Sequence, residues 1–433
     1  MKKYKEYKAS EIEWLGDIPA DWDIKKIKWM TSIKRGASPR PIDDPKYFDE
    51  DGEYAWVRIA DVSSAGMYLE QTTQKMSDLG ASLSVKREPG DIFVSIAGTV
   101  GKPCITNIKC CIHDGFVYFP DYKGEKKYLY YIFESGAPYK GLGKMGTQLN
   151  LNTETIGSIK IPNISLSLQR KIVFFLDKKV KEIDTLLNLK LKEIEILEQQ
   201  RQSIITEAVT KGINPNAKMK DSGVEWIGEI PEHWDIKKIK HITQVKRGAS
   251  PRPIDDPKYF DDDGEYGWVR IADVSRAGMY LNETSQVMSE LGASLSIKQY
   301  PGDLFVSIAG TVGKPCISNI KCCIHDGFVY FSNYKYNKKF LYYIFACGQS
   351  YKGLGKMGTQ LNLNTDTIGE IKIPWPSAKE QEDIISKLEE DVNKVDKLVE
   401  LINYQIEKLK EYRQSLIYEA VTGKIVVRDM ELD

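Results

Sequence analysis

Apolar residues recur at alternating spacings of four and three in two long stretches of the chain, and each stretch predicts one helix. The seam of the stretch 378–425 consists of Leu388, Val392, Val395, Val399, Ile402, Ile406, Leu409 and Leu416. The stretch 166–211 repeats the pattern with Leu176, Val180, Ile183, Leu187, Ile194 and Leu197. Glu and Lys flank both seams, as in a coiled coil, and a helix of roughly 40 residues is about 60 Å long.

A single apolar stripe of this kind needs a partner. The simplest partner is the other long helix of the same chain, which predicts an antiparallel intramolecular coiled coil and an approximate two-fold relation between the two halves. Two alternatives remain open at this point: each helix folds back on its own domain, or it pairs with another chain.

The residues before each long helix form an internal repeat. Trp14 matches Trp226 and Gln148 matches Gln360, with a constant offset of 212. Between 14–165 and 226–377, 118 of 152 positions are identical. The identical stretches include RGASPRPIDDPKYF, FVSIAGTVGKPCI and YKGLGKMGTQLNLNT.

Each repeat has the composition of a mixed α/β (α+β) globular domain. Segments 91–97, 104–108 and 111–119 are rich in Val, Ile, Phe and Tyr and predict strands, whereas 126–135 predicts a short helix ended by Gly136. Residues 212–223 predict a linker. The predicted order is a first globular domain (1–165), a helix (166–211), the linker with a second globular domain (212–377), a second helix (378–425) and a tail (426–433).

Charge and composition narrow the class of protein. Lys plus Arg and Asp plus Glu both number 61, which disfavours a non-specific polyanion binder but leaves room for a specific one with a local basic face. The N-terminal sequence MKKYKEYKAS is charged, and the longest apolar helix-like run, 172–176, is too short for a membrane. We therefore expect a cytoplasmic protein without a membrane partner, whose seven cysteines are reduced.

Two patterns suggest enzyme chemistry but fit it poorly. Gly141, Gly143 and Gly146, repeated at 353, 355 and 358, match G-x-G-x-x-G, yet a helix-like segment precedes them and a polar one follows. The segment 44–47, DPKY, is only partly similar to the Asp/Asn-Pro-Pro-Tyr motif of amino-methyltransferases, and no glycine-rich cofactor loop precedes it. We interpret 44–47 as a surface turn.

Cys104, Cys110, Cys111 and His113 raise a zinc hypothesis, but no C-x₂-C pair is present, and buried strand cysteines explain them as well. His113-Asp114, repeated as His325-Asp326, suggests a general base without a nucleophile nearby in the sequence. We predict a structural role for this pair, no metal, no catalytic residue and no cofactor bound by the chain itself.

Nucleic-acid contacts are a better interpretation of the invariant polar loops. Arg and Lys neutralise phosphates or pair with guanine, Asn and Gln pair with adenine, and glycines allow close approach of the backbone. A solvated polar loop is the alternative for any single residue. The candidate DNA-binding residues of the first repeat are Lys34, Arg35, Ser38, Arg40, Arg58, Lys102, Lys140, Lys144, Thr147, Gln148, Asn150 and Asn152. Those of the second are Lys246, Arg247, Ser250, Arg252, Arg270, Lys314, Lys352, Lys356, Thr359, Gln360, Asn362 and Asn364.

Several motifs resemble the specificity subunit of type I restriction–modification systems. WLGDIPADWDIKKIK and WIGEIPEHWDIKKIK are similar to the beginning of that family's recognition domains, and GTQLNLNTETIGSIKIP to their end. Gln169 and Gln381 match its helix starts, and RQSIITEAVTKG and RQSLIYEAVTGK its helix ends. The resemblance covers nearly the whole chain. The departure is the near-identity of the two domains, which in this family are usually unrelated.

The resemblance implies a non-catalytic subunit in which each domain recognises half of a split double-stranded DNA site. It implies that two methylation subunits, which carry S-adenosylmethionine and modify adenine N6, dock on the helices, and that two motor-nuclease (restriction) subunits join them. Two other classes remain possible from the sequence: an autonomous methyltransferase or nuclease without recognisable motifs, and a scaffold that presents two modules for other ligands.

Overall fold

The structure is a computed structural model that describes residues 4–140, 151–352 and 363–427. Contacts divide the chain into two compact units, Met1–Lys190 with Tyr404–Asp433, and Leu191–Asn403. The strands of the first unit are β1 (Tyr7–Ala9), β2 (Asp17–Pro19), β3 (Asp23–Lys26), β4 (Lys34–Arg35), β5 (Tyr54–Val57), β6 (Tyr68–Leu69), β7 (Gln74–Met76), β8 (Val85–Arg87), β9 (Ile92–Ser95), β10 (Pro103–Thr106), β11 (Cys110–Ile112), β12 (Phe116–Tyr118) and β13 (Lys160–Asn163).

The second unit repeats this series of strands. They are β14 (Met219–Asp221), β15 (Glu229–Pro231), β16 (Asp235–Lys238), β17 (Gln244–Arg247), β18 (Tyr266–Val269), β19 (Tyr280–Leu281), β20 (Gln286–Met288), β21 (Ile297–Gln299), β22 (Leu304–Ser307), β23 (Pro315–Ser318), β24 (Cys322–Ile324), β25 (Phe328–Ser332) and β26 (Lys372–Trp375). The α-helices of the described residues are α1 (Ile59–Ser64), α2 (Asp78–Ser82), α3 (Lys126–Glu134), α4 (Thr153–Ser158), α5 (Leu166–Lys211), α6 (Ile271–Arg276), α7 (Glu290–Ser294), α8 (Lys338–Ala346), α9 (Thr365–Glu370) and α10 (Ala378–Val421).

Two mixed sheets form the centre of each repeat. In the first unit a five-stranded sheet has the order β4-β12-β9-β10-β6, and a four-stranded sheet has the order β7-β5-β11-β8. Only the pairs β6–β10 and β5–β11 are parallel within them. The second unit has the same orders, β17-β25-β22-β23-β19 and β20-β18-β24-β21. The α/β class predicted from the sequence is confirmed.

One predicted strand is wrong in a way that shapes the site. The segment 111–119 is two strands, because His113–Gly115 form a turn in which the amide of Phe116 donates to the carbonyl of His113. The turn carries the chain from β11 in the four-stranded sheet to β12 in the five-stranded sheet. The predicted linker 212–223 also ends in a strand, since β14 pairs with β15. The strands near 91–97 and 104–108 and helix α3 are confirmed, with Gly136 in the left-handed region at φ 64°.

The long helices complete both hydrophobic cores. In the first unit Ile172 and Leu176 near the start of α5 and Leu416 and Val421 near the end of α10 belong to one core cluster. In the second unit Leu388 near the start of α10 clusters with Ile205 and Val209 near the end of α5. Each helix therefore begins against its own repeat and ends in the other unit. This arrangement confirms the antiparallel intramolecular pair and excludes helices that fold back on their own domains alone.

Most of the seam is buried. The buried seam residues are Leu176, Val180, Ile183, Leu388, Val392, Val395, Ile402, Ile406 and Leu416, whereas Leu187, Ile194, Leu197, Val399 and Leu409 are half-buried. Apolar side chains outside the seam are exposed on the same helices: Leu186, Leu189, Leu191, Ile196, Leu398, Leu401, Tyr404 and Tyr412. Across the three described ranges, no helix combines the length and the apolar character needed to cross a membrane.

Candidate nucleic-acid interface

Three of the predicted DNA-binding residues converge on Asp114, two on its carboxylate and one on its backbone carbonyl. Arg40 donates from Nη2 to Oδ2 of Asp114 at 3.0 Å, and Ser38 donates from Oγ to Oδ1 at 3.3 Å. Arg35 donates from Nε to the backbone carbonyl of Asp114. Because the Arg40 side chain stays 72% exposed, its remaining donors face solvent. Asp114 therefore orients a guanidinium group without covering it, which is the geometry that recognition of a base edge or a phosphate requires.

The second repeat builds the same cluster independently. Arg252 donates to Asp326 Oδ2 at 2.8 Å, Ser250 to Oδ1 at 3.4 Å, and Arg247 to the carbonyl of Asp326. The sequence singled out Asp114 and Asp326 only as parts of a doubtful catalytic pair. Their contacts give them a positioning role instead.

His113 holds the turn that carries Asp114. Its Nδ1 accepts a hydrogen bond from the amide of Gly115 at 2.8 Å, and its ring packs 4.7 Å from that of Phe116. Burial lowers the pKa of His113, so the imidazole is neutral at neutral pH and able to accept this bond. Gly36 permits loop 34–41 to lie against the turn, because a Cβ there would come within 2.1 Å of the His113 carbonyl oxygen. The structural role predicted for His113 has a direct physical basis.

Arg58 and Gln74 form a second polar cluster of the candidate interface, and Gln74 was not among the residues predicted from the sequence. The guanidinium group of Arg58 donates from Nη2 to Oε1 of Gln74 on β7, and Arg270 makes the same bond to Gln286 on β20. These pairs line open grooves of about 990 Å³ in the first unit and about 520 Å³ in the second, above Trp56 and Trp268. Gln74 carried little signal, since it lies within a short stretch, 70–75, whose residues mostly differ between the repeats.

The glycine-rich turn 98–102 contacts elements that carry or adjoin these groups. The hydroxyl of Ser63 on α1 donates to Thr99 at 3.0 Å, and the amide of Ile96 donates to the carbonyl of Gly115 at 2.7 Å. Gly101 lies under the ring of Tyr139, where a Cβ would come within 2.6 Å of the ring. The turn that carries Lys102 is therefore bordered by α1, by the turn that carries Asp114, and by the segment that leads to Lys140.

The remaining predicted residues are only partly visible. Lys140 and Lys352 are exposed at the start of the polar loops. Asn152 caps α4 by accepting from the amide of Thr155 at 2.8 Å, and Asn364 caps α9 in the same way at 2.9 Å. These caps account for both asparagines without DNA, so a DNA contact from them stays a prediction. Eight predicted residues lie outside the described ranges, as do the G-x-G-x-x-G patterns: Lys144, Thr147, Gln148, Asn150, Lys356, Thr359, Gln360 and Asn362.

An exposed basic and aromatic patch was also missed. Trp29 is 67% exposed, and Lys26 Nζ lies 5.5 Å from the centre of its ring. The run DIKKIKW was the available signal, because basic residues next to an aromatic are typical of nucleic-acid contacts. The second repeat differs here: Glu370 replaces Ser158 and pairs with Lys238 at 2.6 Å and with Lys240. This patch is therefore more positive in the first unit than in the second.

The other candidate sites have structural explanations. Burial raises the pKa of Cys104, Cys110 and Cys111 to about 12, so the thiols remain protonated, and no group of three or more metal-ligating side chains occurs among the described residues. Asp44 accepts from the amide of Lys46 at 3.1 Å and begins a short 3₁₀ helix. This contact fits the interpretation of 44–47 as a turn.

Comparison with known proteins identifies the duplicated unit. The model of the family described as type I restriction modification DNA specificity domain matches residues 19–196 and 231–411. The chain belongs to this family. Each match runs from a repeat into its long helix, so the two copies of the specificity domain correspond to the two halves of the chain. DNA sequence recognition is therefore the activity of this chain, and the convergent polar groups are its candidate interface.

Relatives and solved structures agree with this assignment. The type I restriction enzyme MjaVIII specificity subunit of Methanocaldococcus jannaschii is 24% identical over 455 residues, with 99% of each chain covered. The EcoBI specificity subunit of Escherichia coli is 23% identical over 302 residues, covering 65% of this chain and 62% of that one. A chain from a structural study of complex assembly and conformational transition of the type I R-M system shares the fold, with a TM-score of 0.69 at 16% identity, covering 94% of this chain and 99% of that chain.

Proposed function

We propose that this specificity subunit recognises a two-part DNA site, with one half for each repeat, and directs partner subunits that methylate adenine N6 or cleave DNA. The observation that carries the proposal is the repeated cluster of Arg40, Ser38 and Asp114 with its counterpart Arg252, Ser250 and Asp326. Exposed guanidinium groups held by buried or half-buried anchors suit base and phosphate contacts. The chain supplies recognition, and the partners supply S-adenosylmethionine and chemistry.

The two repeats should recognise the same bases. Their clusters match in residue type and bonding, and Arg58–Gln74 recurs as Arg270–Gln286. We propose that each copy recognises its half-site on the opposite DNA strand from the other copy. The resulting site is an interrupted inverted repeat, methylated at equivalent adenines on both strands. Gln148, Asn150, Gln360 and Asn362 remain the proposed adenine-pairing residues.

One sequence difference has a specific bearing on this symmetry. Arg276 replaces Ser64, and an added arginine is able to select guanine. Its Nη2 donates to Oδ1 of Asp273 at 2.6 Å, although its side chain is 71% exposed. The bond to its own helix engages part of the guanidinium group, which favours a phosphate contact over an additional base contact.

The exposed apolar residues of the long helices support the docking of partners. Leu189 is 56% exposed and Ile196 is 63% exposed, and Leu186 and Leu191 on the same helix are exposed as well. Large exposed apolar side chains grouped on one element are typical of protein interfaces. We propose that methylation subunits dock here, and that restriction subunits join the assembly through them.

Methylation mapping of the host genome tests the proposed recognition. The expected result is one interrupted inverted repeat whose methylation disappears when the gene for this chain is deleted. Two unrelated half-sites would contradict the symmetric site, and a Ser64→Arg variant would then show whether that position is responsible. If methylation of the genome stayed unchanged after the gene was deleted, the proposed function itself would be contradicted.

The isolated chain separates the two rival classes. Incubated with labelled S-adenosylmethionine and DNA, it should transfer no methyl group, and methyl transfer without partners would establish an autonomous enzyme. In gel-shift experiments it should bind genomic DNA weakly alone and tightly with methylation subunits, because its net charge of zero provides little non-specific attraction. Absence of DNA binding in both forms would favour a scaffold for other ligands.

A further inference from the structure

Lys102 and Lys314 occupy equivalent positions in the two repeats but contact different groups. Their backbones agree, since the amide of Lys102 donates to Ser95 Oγ at 3.0 Å and that of Lys314 donates to Ser307 Oγ at 3.1 Å. The side chains differ. Lys102 Nζ lies 3.2 Å from Glu134 Oε2, whereas Lys314 Nζ donates to the carbonyl of Ser275 at 2.9 Å.

The cause is one substitution at the end of a short helix. Glu134 ends α3, and Ala346 takes its place at the end of α8. Glu134 is only 11% exposed and also pairs with Arg413 Nη1 at 3.2 Å. Its carboxylate thus lies between two cations, and the hydroxyl of Tyr130 is also within its reach.

The surrounding junction is otherwise the same in both units. Gln414 Nε2 donates to the carbonyl of Glu134 at 2.9 Å, and Gln202 Nε2 donates to that of Ala346 at 3.2 Å. The carboxylate of Glu134 is therefore an addition to a shared framework. It gives Lys102 a negatively charged partner, whereas Lys314 has only the side chain of Ala346 at the equivalent position.

We infer that Glu134 withholds Lys102 from DNA, so that the second recognition domain makes one more phosphate contact than the first. This inference rests on the proposed DNA-binding function. The ammonium group of Lys102 is held next to an anion at the base of the long helices. That of Lys314 is held by a neutral carbonyl on α6, the helix that begins beside Arg270. In the described part of the chain Lys314 has no ion pair, so its charge remains available to a phosphate.

The consequence is that the two domains bind their half-sites with unequal affinity, although the bases of the two half-sites are the same. Base contacts define specificity, and phosphate contacts add affinity that depends on salt. One phosphate contact changes the slope of log K against log salt concentration by about 0.9. Between 50 and 200 mM salt this corresponds to roughly a 3.5-fold difference in affinity.

Reciprocal exchange at the two helix ends tests the inference. The assembled complex with its methylation subunits is titrated with a duplex that bears the mapped site, at several salt concentrations. Glu134→Gln should release Lys102 and increase the magnitude of the slope by about 0.9, and Ala346→Glu should reduce it by about the same amount. Adding Lys102→Gln to the Glu134→Gln variant should return the slope to its original value. Thermal unfolding of each variant checks that the junction remains folded.

Ethylation interference gives a second readout that does not depend on stability. In the wild-type complex, one phosphate should weaken binding when it is ethylated in one half-site but not at the equivalent position of the other. Glu134→Gln should make the interference pattern the same in both half-sites. Equal patterns in the wild-type half-sites, or slopes unaffected by both exchanges in folded complexes, would overturn the inference while DNA recognition stands. A wild-type complex that binds no DNA would refute the proposed function instead.

Discussion

Arg413 on α10 donates from Nε to Oδ1 of Asp184 on α5 at 2.9 Å, and the repeat contains the same pair with the helices exchanged. There, Arg201 on α5 donates to Asp396 on α10 at 3.0 Å. In both helices the aspartate precedes the arginine by the same number of residues, Asp184 before Arg201 on α5 and Asp396 before Arg413 on α10. Each pair therefore fixes the antiparallel register of the two helices within its own unit.

The first prediction concerns the energies of these pairs. Arg413→Ala should destabilise the first unit by about 2–3 kcal/mol. The substitution removes the cation that pairs with both Asp184 and Glu134, and it leaves the half-buried carboxylate of Glu134 with one cation fewer. Arg201→Ala should cost the second unit about 1 kcal/mol or less, since Asp396 is well exposed. Amide hydrogen exchange along α3, α8 and the long helices measures both effects. Equal losses in the two units would contradict the role given to Glu134.

The second prediction concerns the spacing of the half-sites. In the observed register, the points after Leu187 on α5 and after Leu409 on α10 lie level with each other. One heptad inserted at both points keeps the seam in phase and adds about 10 Å, which should lengthen the preferred spacer by roughly 3 base pairs. Methylation mapping measures the spacer. A heptad in α5 alone is the control and should abolish assembly, whereas an unchanged spacer in an active double-insertion complex would show that the helices do not set the distance.

The third prediction concerns the anchor of the recognition cluster. Asp114→Asn with Asp326→Asn should reduce discrimination between the site and other DNA by about 1–3 kcal/mol for each half-site, because Arg40 and Arg252 lose their orienting charge. Affinity for non-specific DNA should not fall, since each change removes one negative charge. Competition gel-shifts measure the ratio. Asp23→Asn with Asp235→Asn makes the same change of net charge on exposed strand residues and should leave discrimination intact.

The fourth prediction concerns acid stability of the second unit. Burial disfavours the ionised form of Glu380, but hydrogen bonds from His233, Trp234 and Ser377 outweigh it and lower its pKa to about 2. Because the folded pKa lies below the unfolded value near 4.5, this stabilisation is present above pH 4.5 and is lost as the pH falls toward 2.

Glu380→Gln should therefore cost about 1–2 kcal/mol at pH 7, allowing for partial exposure of the side chain, and little at a pH of about 2. Urea unfolding followed by hydrogen exchange in the second unit measures the difference. Leu168 occupies the equivalent position in the first unit, so the first unit is an internal control. A loss of stability that is the same at both pH values would show that the carboxylate acts only through packing.

The fifth prediction concerns docking on the long helices. Leu189→Glu with Ile196→Glu should weaken co-purification of the methylation subunits at least tenfold, because charges would have to be buried with the apolar surface. Folding should be unaffected, since both side chains are more than half exposed. Asn188→Glu with Gln199→Glu adds the same charge at two exposed polar positions and is the matched control. Full assembly of the double variant would place the docking surface elsewhere.

The sequence predicted the long elements better than the short ones. Leu176 and Leu388 follow a period that packing alone explains, so the helices could be located before the structure. The break at His113–Gly115 was missed because the segment 111–119 was interpreted as one strand, although Asp114-Gly115 is a turn signal. Which sheet each end of the segment joins depends on long-range pairing that the sequence does not show. Gln74 was missed for a related reason. Its neighbour Arg58 is distant in sequence, and the contact exists only after β5 and β7 pair.

The division of the chain into its two units has a consequence for synthesis. Residues 191–403 form the second unit without interruption, whereas the first unit needs the segment from Tyr404 onward. Tyr7 donates to the carbonyl of Gly423, and Tyr128 donates to that of Val421, so the first core stays open until this segment emerges from the ribosome. Domains usually fold from the N-terminus as they are made. The repeat that is translated first is therefore the last to complete its hydrophobic core, because the core needs the final turns of α10.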